Sequence, residues 1–386
     1  MTAIGKWKLL TSLAFASALA GCAGQAAPVI TGLPPVQVTA SGETAPVGTG
    51  RADAADDPAI WIDPANPNRA LIVATDKKAG LHVYDLSGKD IAFTQAGLVN
   101  NVDVAGNIIV ASDRNDGVNA HLAVFRLDAD KPAIVSLGRA AAGTGEAYGL
   151  CLKKTAPGAP ITAALIVKDG TVRVGTLTVD GTPSFATEWE YKIPTQSEGC
   201  VFDGDTLYVG EEDAGVWELK PNGKTATARI VAPVDNQRLV ADVEGLATID
   251  HKGQRYLLVS SQGDNAYAVF KLPSMDYVGR FAVAAGAFGA TSETDGIEAV
   301  AGNFGAAYPD GLFLAQDGDN APKAQNFKLV RWDQIAAALG LLPLHPPPWW
   351  GRQRNLPACW LVAAVGVWFR LESTCEDAPS PPSNCA

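Results

Sequence analysis

Three carboxylates crowd one short stretch, Asp53-Ala-Ala-Asp-Asp-Pro-Ala-Ile-Trp61, where Asp53, Asp56 and Asp57 precede a proline and an apolar run. Carboxylates this close repel one another unless cations or hydrogen-bond donors hold them, and hard divalent cations prefer oxygen ligands. The stretch is therefore either half of an ion site or an acidic turn at the entry to a strand. The choice depends on whether the fold brings more acids to the same place.

The elements that must position these acids are short β-rich runs, which recur from Val36 to about Leu341 between Gly, Asp, Asn and Pro residues. The repeated unit is an apolar strand that ends in a polar cluster and is followed by a second strand. Six copies of the first strand occur, at 71–76, 108–113, 164–169, 207–213, 256–262 and 312–317. Their spacing is typical of propeller blades. We predict an all-β chain that forms a six-bladed β-propeller with four-stranded antiparallel blades.

A smaller motif precedes each copy: a polar residue, then a small residue, then an apolar strand. The leading residues are Asp57, Asn101, Tyr148, Glu198, Glu244 and Asp295. Six equivalent strands about one axis would bring these positions to one end of a central channel. Because side chains alternate along a strand, Asp242 and Glu244 point to one face. We expect a crowded acidic mouth.

The acids expected at this mouth cannot all be ionised in one funnel unless cations bridge them. They are Asp56, Asp57, Asp103, Glu198, Glu211, Glu212, Asp242, Glu244 and Asp295. Calcium fits this set, because it accepts six to eight oxygens in loose geometry, and several ions are expected. Zinc is disfavoured, since none of the four His has ligand spacing with a Cys pair.

Basic residues follow the first three repeat strands in the same register. Lys77 and Lys78 follow the first, Arg114 the second and Lys168 the third, while Tyr148 leads the third copy. An Arg fork and mobile Lys charges beside an acidic cluster are typical of a phosphate site. The alternative is ordinary surface ion pairing, which contributes little.

The composition excludes one class of partner. The chain has 386 residues, a net charge of −11 and 18% charged residues, and it contains no Lys/Arg-rich run. This balance argues against nucleic-acid binding. If the ligand is anionic, a cation must lie between it and the protein.

The N-terminus has the pattern of an export signal. Lys6 and Lys8 precede the apolar run 9–20, which is too short to span a bilayer, and Leu19-Ala-Gly-Cys22 resembles a bacterial lipobox. We predict a signal peptide over 1–22, a tether over 23–35 and a periplasmic or extracellular protein anchored by lipid at Cys22. The alternative is ordinary cleavage near Ala20.

Several motifs in order resemble the β-propeller phytases, over roughly 43–340. They are the opening acidic stretch, Lys77-Lys-Ala-Gly-Leu81, Asn100-Asn-Val-Asp103, Ser197-Glu-Gly199, Glu211-Glu-Asp213, Asp242-Val-Glu-Gly-Leu246, Ser260-Ser-Gln-Gly263, Thr294-Asp-Gly-Ile297, Gln316-Asp-Gly318 and Asn326-Phe-Lys328. The resemblance implies a calcium-dependent enzyme that hydrolyses phosphomonoesters of phytate, myo-inositol hexakisphosphate, and takes it as the calcium complex.

The resemblance also implies roles for single residues. Ligands or supports of an active-site calcium cluster would be Asp56, Glu198, Glu212, Asp242, Glu244, Gln262 and Asp295. The phosphate side would be Lys77, Arg114, Tyr148 and Lys168, with Lys78 beside them. Structural calcium sites would use Asp57, Asp103 and Asn320. We expect Asp56, Glu198, Glu212, Lys77 and Arg114 to act in catalysis.

We expect direct attack by water, since the sequence has no Gly-x-Ser-x-Gly elbow, no P-loop and no Arg-His-Gly-x-Arg-x-Pro run. Two other functions stay open, because a fold does not fix chemistry. One is a calcium-binding propeller lipoprotein without catalysis, and the other is a lactonase-like propeller hydrolase. A lactonase has no need for Lys77, Arg114 and Lys168 together.

Two features lie outside this pattern. Cys151 and Cys200 either pair in an oxidising compartment or serve as small buried hydrophobes. After the expected propeller domain, 36–341, the segment 342–386 becomes rich in Pro and Trp and departs from the family pattern. That departure leaves open how the last blade closes. We expect a monomer.

Overall fold

The computed structural model describes residues 30–50, 53–154 and 159–341. These residues form six small sheets, each with consecutive antiparallel strands. The innermost strands of the six sheets contact one another in a closed ring. The prediction of an all-β, six-bladed propeller is confirmed.

Blades one to three each contain four strands, given from the innermost outward. Blade one has β3 (Ala55–Trp61), β4 (Leu71–Asp76), β5 (Gly80–Asp85) and β6 (Asp90–Gln95). Blade two has β7 (Val99–Ala105), β8 (Ile108–Asp113), β9 (Asn119–Asp128) and β10 (Ala133–Thr144). Blade three has β11 (Ala147–Leu152), β12 (Ile161–Val167), β13 (Thr171–Thr178) and β14 (Ser184–Lys192).

Blades four to six follow the same plan, but the last two use strands from the start of the chain. Blade four has β15 (Ser197–Asp203), β16 (Thr206–Glu211), β17 (Gly215–Asn222) and β18 (Thr225–Pro233). Blade five has β19 (Val243–His251), β20 (Gln254–Ser261), β21 (Ala266–Lys271), β22 (Asp276–Ala284) and β1 (Val36–Thr39). Blade six has β23 (Ile297–Ala301), β24 (Gly311–Asp317), β25 (Asn326–Arg331) and β2 (Gly42–Glu43).

The ring is closed by the N-terminal segment. β1 adds a fifth strand to blade five, parallel to β22, and β2 pairs antiparallel with β25 as the outer strand of blade six. Three short helices complete the described elements: the 3₁₀ turns Pro67–Arg69 and Gln262–Asp264, and α1 (Trp332–Ala338). The last blade therefore obtains its outer strand from the N-terminal side of the chain.

The hydrophobic core is divided among the joints between blades. Six clusters of buried side chains occur, and each draws on two neighbouring blades around the ring. The second strand of a blade has apolar neighbours on both faces, which is why runs such as Leu71–Asp76 are buried throughout. Strands that are buried on both faces have continuous apolar sequences, and this pattern identifies the six copies in the sequence.

A disulfide joins Cys151 on β11 to Cys200 on β15, with the two Cα atoms 5.8 Å apart. It links the inner strands of blades three and four, so the question left open by the sequence is answered in favour of pairing. The predicted signal peptide, Cys22, most of the tether and the segment 342–386 lie outside the described residues, and the domain bounds stay predictions. Among the residues that are described, no helix has the length and apolar content needed to cross a membrane.

Candidate active site

Five of the six inner strands have an irregularity in their pairing, and in each a side chain at this irregularity belongs to the same end of the channel. The sixth, β23, pairs regularly, and its equivalent residue lies just before the strand. Ser197 pairs with Glu211 and Val243 pairs with Ser261, and the ladder resumes only at Cys200 and Leu246. Glu198 and Glu244 lie in these gaps. The equivalent positions around the ring, here called the inner-ring residues, are Asp56, Asn100, Tyr148, Glu198, Glu244 and Asp295.

This register corrects the sequence reading of the first two copies. Ala55 pairs with Asp76 and Val99 pairs with Asp113, so the equivalents of Glu198 in blades one and two are Asp56 and Asn100. Asp57 and Asn101, the leading residues predicted from the sequence, lie one position further along. One residue on a strand reverses the face to which a side chain points.

Glycine follows the inner-ring acids Glu198 and Glu244 for a steric reason. A Cβ on Gly199 would lie 2.2 Å from the carbonyl oxygen of Glu244, and a Cβ on Gly245 would lie 2.6 Å from that of Asp295. Neighbouring inner strands approach too closely for any side chain at these places. The Glu-Gly pairs in the sequence therefore mark the contacts between blades that draw the acids together.

Above the inner ring lies a cavity of about 540 Å³. Its walls include eight of the residues predicted for the site: Lys77, Tyr148, Glu198, Glu212, Asp242, Glu244, Gln262 and Asp295. Asp56 lies just beneath, buried and hydrogen-bonded to Lys77. The structure thus brings together residues from blades one, three, four, five and six.

Lys77 is the cation at the centre of this group. Its ammonium lies 2.9 Å from Asp53 Oδ1, 2.9 Å from Asp56 Oδ1 and 3.1 Å from Asp295 Oδ2. Burial lowers the pKa of Lys77, but the charges of Asp56 and Asp295 outweigh burial and leave the pKa raised. Lys77 therefore stays charged.

Three glutamates form the most compact acidic group. Glu198, Glu212 and Glu244 each offer a carboxylate oxygen, and these oxygens all lie within 4.8 Å of one another. Burial raises the pKa of Glu198 and of Glu244 well above the usual range, and nearby carboxylates, among them Asp56 and Glu198, add to the effect. Burial also raises the pKa of Glu212. Proteins alone rarely hold three carboxylates this close, whereas a divalent cation stabilises them.

Unpaired buried oxygens test whether a metal fits here. Asp56 Oδ2, Asn100 Oδ1 and Glu244 Oε2 are buried and have no hydrogen-bond partner among the residues that the structure describes. All three belong to inner-ring residues. A buried polar atom without a partner is costly, so unused oxygens beside a carboxylate triad are consistent with oxygen ligands for a hard cation. The residues present fit calcium.

The predicted basic residues surround Tyr148. The Arg114 Cζ atom lies 5.9 Å and the Lys168 Nζ atom 4.8 Å from the centre of the Tyr148 ring. Arg114 also contacts Glu146, with Nη1 3.2 Å from Oε1. Two cations from blades two and three thus meet at the aromatic side of the cavity. Both cations lie behind Tyr148 and do not line the cavity themselves, and Lys78, which is exposed, does not line it either.

Asp57 and Asp103 belong to a different place. They line a second cavity of about 40 Å³, together with the Cys151–Cys200 bridge and Glu298. Asp57 Oδ2 accepts a hydrogen bond from Val102 N, and the two oxygens of Asp103 accept from Val104 N and Leu152 N. Burial raises the pKa of Asp57 well above its usual range and that of Asp103 to about 6.

Two predicted ligands already have protein partners. Glu211 is buried, and its oxygens accept hydrogen bonds from Thr195 and from Trp217 Nε1. Asn320 Oδ1 accepts from Lys328 Nζ at 3.3 Å, and its amide donates to Ala324 O. The structure brings neither residue into the cavity wall.

Sequence reasoning missed several polar residues at the site. Asn100 Nδ2 donates to Glu198 Oε1 at 2.8 Å, and Gln196 Nε2 donates to Glu212 Oε1 at 2.7 Å. Asp53 contacts Lys77, and Gln316 Oε1 accepts from the backbone N–H of Asp295. The sequence pattern could have identified Asn100, since it is the second residue of its strand, as Asp56 is of β3. Asp53 lies in the acidic stretch 53–61, whereas Gln196 and Gln316 are fixed by contacts that no local pattern reveals.

Comparison with known proteins gives one family. The model of the family described as Phytase matches residues 6–344. The 3-phytase of Bacillus subtilis (strain 168) is 36% identical over 337 residues, which is 80% of this chain and 87% of that protein.

Solved structures give weaker similarities. A luciferin-regenerating enzyme has a TM-score of 0.48 and 14% identity, covering 75% of this chain and 96% of that one. A complex of BBS1N with ARL6DN has a TM-score of 0.45 and 12% identity, covering 71% of this chain and 79% of that one. Neither similarity bears on the function. The family match and the curated relative do: the chain belongs to the phytase family.

Proposed function

We propose that this protein is a calcium-dependent phytase, which hydrolyses phosphomonoesters of phytate and releases inorganic phosphate and lower inositol phosphates. The observation that carries the proposal is the compact group of Glu198, Glu212 and Glu244 in a cavity that also contains Lys77 and is flanked by Arg114 and Lys168. The net charge of −11 opposes the approach of a polyanion, and bound cations together with local basic residues would offset this repulsion. Membership of the phytase family supports the same reaction.

The residues that would hold calcium are the three glutamates with Asp56, Asp242 and Asp295. When bound, calcium supplies an electrophile that activates water and neutralises phosphate charge. Gln262 Nε2 donates to Asp295 Oδ1 at 2.7 Å, and Gln196 donates to Glu212. These donors fix the two carboxylates. Glu212 keeps its second oxygen for the ion, whereas the second oxygen of Asp295 also accepts a hydrogen bond, from Lys77.

The basic side of the cavity would bind the phosphate. Lys77 lies between the acids and the open cavity, while Arg114 and Lys168 approach from the side of Tyr148. Arg114 can present two parallel N–H donors to phosphate oxygens, and Lys77 and Lys168 add point charges. Donors that stabilise charge on the phosphoryl oxygens lower the barrier to transfer to water.

The deciding experiment measures phosphate release from phytate by the purified protein, with calcium and with a chelator. We expect release that needs calcium and that falls by about 10²-fold or more in Glu212→Gln and in Lys77→Met. Lys271→Met, on the exposed end of β21, is the matched control and should retain activity. Absence of calcium-dependent release would refute the proposal, and full activity of both variants would refute the site assignment.

We further propose that the protein is exported, anchored by lipid at Cys22 and active as a monomer. The Cys151–Cys200 disulfide supports export, because such bonds persist in oxidising compartments. Metabolic labelling with a fatty acid should mark the wild type but not Cys22→Ala, and light scattering should give the mass of one chain. A labelled Cys22→Ala variant would argue against the anchor.

A further inference from the structure

Two adjacent asparagines lie buried on β7, beside the acidic group. Neither lines the cavity of about 540 Å³, and Asn101 lines the cavity of about 40 Å³. Asn100 is 1% exposed and Asn101 is 4% exposed. Asn100 is the inner-ring residue of blade two, where blades four and five have Glu198 and Glu244. Buried amides are costly unless their hydrogen bonds are made, so their partners indicate their role.

The partner of both asparagines is Glu198, which lies two blades away. Asn100 Nδ2 donates to Glu198 Oε1 at 2.8 Å. With its amide turned so that nitrogen faces acceptors, Asn101 donates to the same Oε1 at 2.9 Å and to Tyr148 O at 2.9 Å. In the opposite orientation Asn101 Oδ1 instead accepts from Asn100 Nδ2 at 3.1 Å. Asn100 holds Glu198 Oε1 in both orientations, and Asn101 adds a second donor in the turned one.

The asparagines are themselves fixed by the backbone. Asn101 N donates to Ser112 Oγ at 2.9 Å, and Ser112 Oγ donates to Tyr148 O at 2.6 Å. This serine on β8 ties the inner strands of blades two and three together at the level of the pair. The donors thus sit on a rigid part of the sheet, as a precise site requires.

We propose that Asn100 and Asn101 are positioning residues that hold Glu198 Oε1 from across the channel, so that Glu198 presents its other oxygen to Glu212 and Glu244. This inference rests on the proposed function in assigning the acidic group to calcium. Partners that orient a ligand's second oxygen typically change metal affinity by about 10- to 100-fold when they are removed. The pair supplies fixed donors without adding a further negative charge.

The test measures calcium affinity directly, by calorimetry, in the full chain. Asn100→Leu keeps the branched shape of the side chain but removes the donor, and we expect calcium to bind about 10- to 100-fold more weakly. At saturating calcium, phosphate release should return towards the wild-type rate, because the residue acts through Glu198 and does not contact substrate. His251→Leu is the control. It removes a buried hydrogen bond with Trp332 at the far end of β19, and it should lower the melting temperature while leaving calcium affinity unchanged.

A double-mutant cycle isolates the contact. In a Glu198→Gln background, Asn100→Leu should cause no further loss of calcium affinity, since the carboxylate that it positions is gone. Equal losses in both backgrounds would overturn the inference, as would unchanged affinity in the folded single variant. Should Asn100→Leu fail to fold, Asn100→Ser removes the same amide with a smaller change in polarity and is expected to weaken calcium binding in the same way.

The outcome is separable from that of the proposed function. If the wild type binds calcium with an affinity that depends on Asn100 but releases no phosphate from phytate, the positioning role stands and the phytase activity fails. If phosphate is released with calcium but the asparagine variants bind calcium normally, the activity stands and the positioning role fails.

Discussion

At the residue scale, the adjacent acids Asp56 and Asp57 serve different places. Asp56 contacts Lys77 beneath the large cavity, whereas Asp57 accepts from Val102 N and lines the small cavity. Successive side chains of a strand point to opposite faces, so two neighbouring carboxylates need not share one ion. The same division separates Glu212, which lines the cavity, from Glu211, whose oxygens are used by Thr195 and Trp217.

Substituting Asp56 should reduce activity, whereas substituting Asp57 should reduce the stability that calcium confers. Asp56→Asn should reduce phosphate release by about 10- to 100-fold, because it removes a ligand charge next to Lys77. Asp57→Asn should retain activity, but calcium should raise its melting temperature less than it raises that of the wild type. Phosphate release and melting curves with calcium or chelator check both outcomes. Loss of activity in Asp57→Asn with normal melting would contradict the division.

At the scale of the elements, buried contacts fasten the N-terminal segment and the blades to one another. Lys328 on β25 is fully buried, and its ammonium lies 2.7 Å from Glu43 Oε2 on β2 and 3.0 Å from Asp317 Oδ2 at the end of β24. Asn326 Oδ1 and Asn320 Oδ1 complete its surroundings. This ammonium joins the strand that closes the ring to the two strands next to it.

Removing that cation should weaken the closure. Lys328→Met leaves Glu43 and Asp317 without their partner, and we expect a loss of about 3–5 kcal/mol in the free energy of unfolding. Chemical denaturation measures it. Lys271→Met, which removes an exposed ammonium, should change stability by less than about 0.5 kcal/mol. Equal effects of the two substitutions would show that the buried ion pairs do not hold the strand.

The disulfide between β11 and β15 is the second fastening between blades. It closes a loop of 49 residues in sequence separation. A cross-link of this loop length stabilises by about 4 kcal/mol through the unfolded chain. Replacing both Cys151 and Cys200 by Ala should therefore lower the denaturation midpoint. Reductant should lower the midpoint of the wild type but not that of the variant, and an equal response of both would contradict the assignment.

At the scale of the whole molecule, the propeller concentrates negative charge at one end of the channel. Burial, followed by the charge of Asp56, raises the pKa of Asp295 from 3.8 to about 8. Between these two pKa values the folded state binds more protons than the unfolded state. The stability that protonated Asp295 contributes is therefore fully present below pH 3.8 and is lost as the pH rises towards about 8.

In chelator, the melting temperature should therefore fall as pH rises from about 4 to about 8. Calcium should oppose this fall, since a bound cation stabilises the ionised carboxylates, and its affinity should rise over the same range. Calorimetry across this range with calcium or chelator measures both effects. Asp295→Asn should flatten the profile in chelator. A melting temperature that rises with pH in chelator would contradict the prediction.

The sequence by itself determined the architecture, because the signals for it are local. The apolar runs and turn residues placed the second strand of every blade, including Leu71–Asp76 and Ile108–Asp113 with their observed bounds. The acids and cations of the cavity could also be named, since a six-fold repeat places equivalent residues at one end of a channel. Calcium as the metal was an inference from their chemistry.

Only the tertiary structure decided which oxygens meet. The pairing irregularities in β3 and β7 exchanged Asp57 for Asp56 and Asn101 for Asn100 at the inner ring, and local sequence does not reveal such a shift. Closure of the last blade by Gly42–Glu43 depends on contacts such as that of Asn326 with Glu43, 283 residues apart in the chain. Both features depend on segments that are distant in sequence and meet only in the folded protein, so no local sequence pattern predicts them.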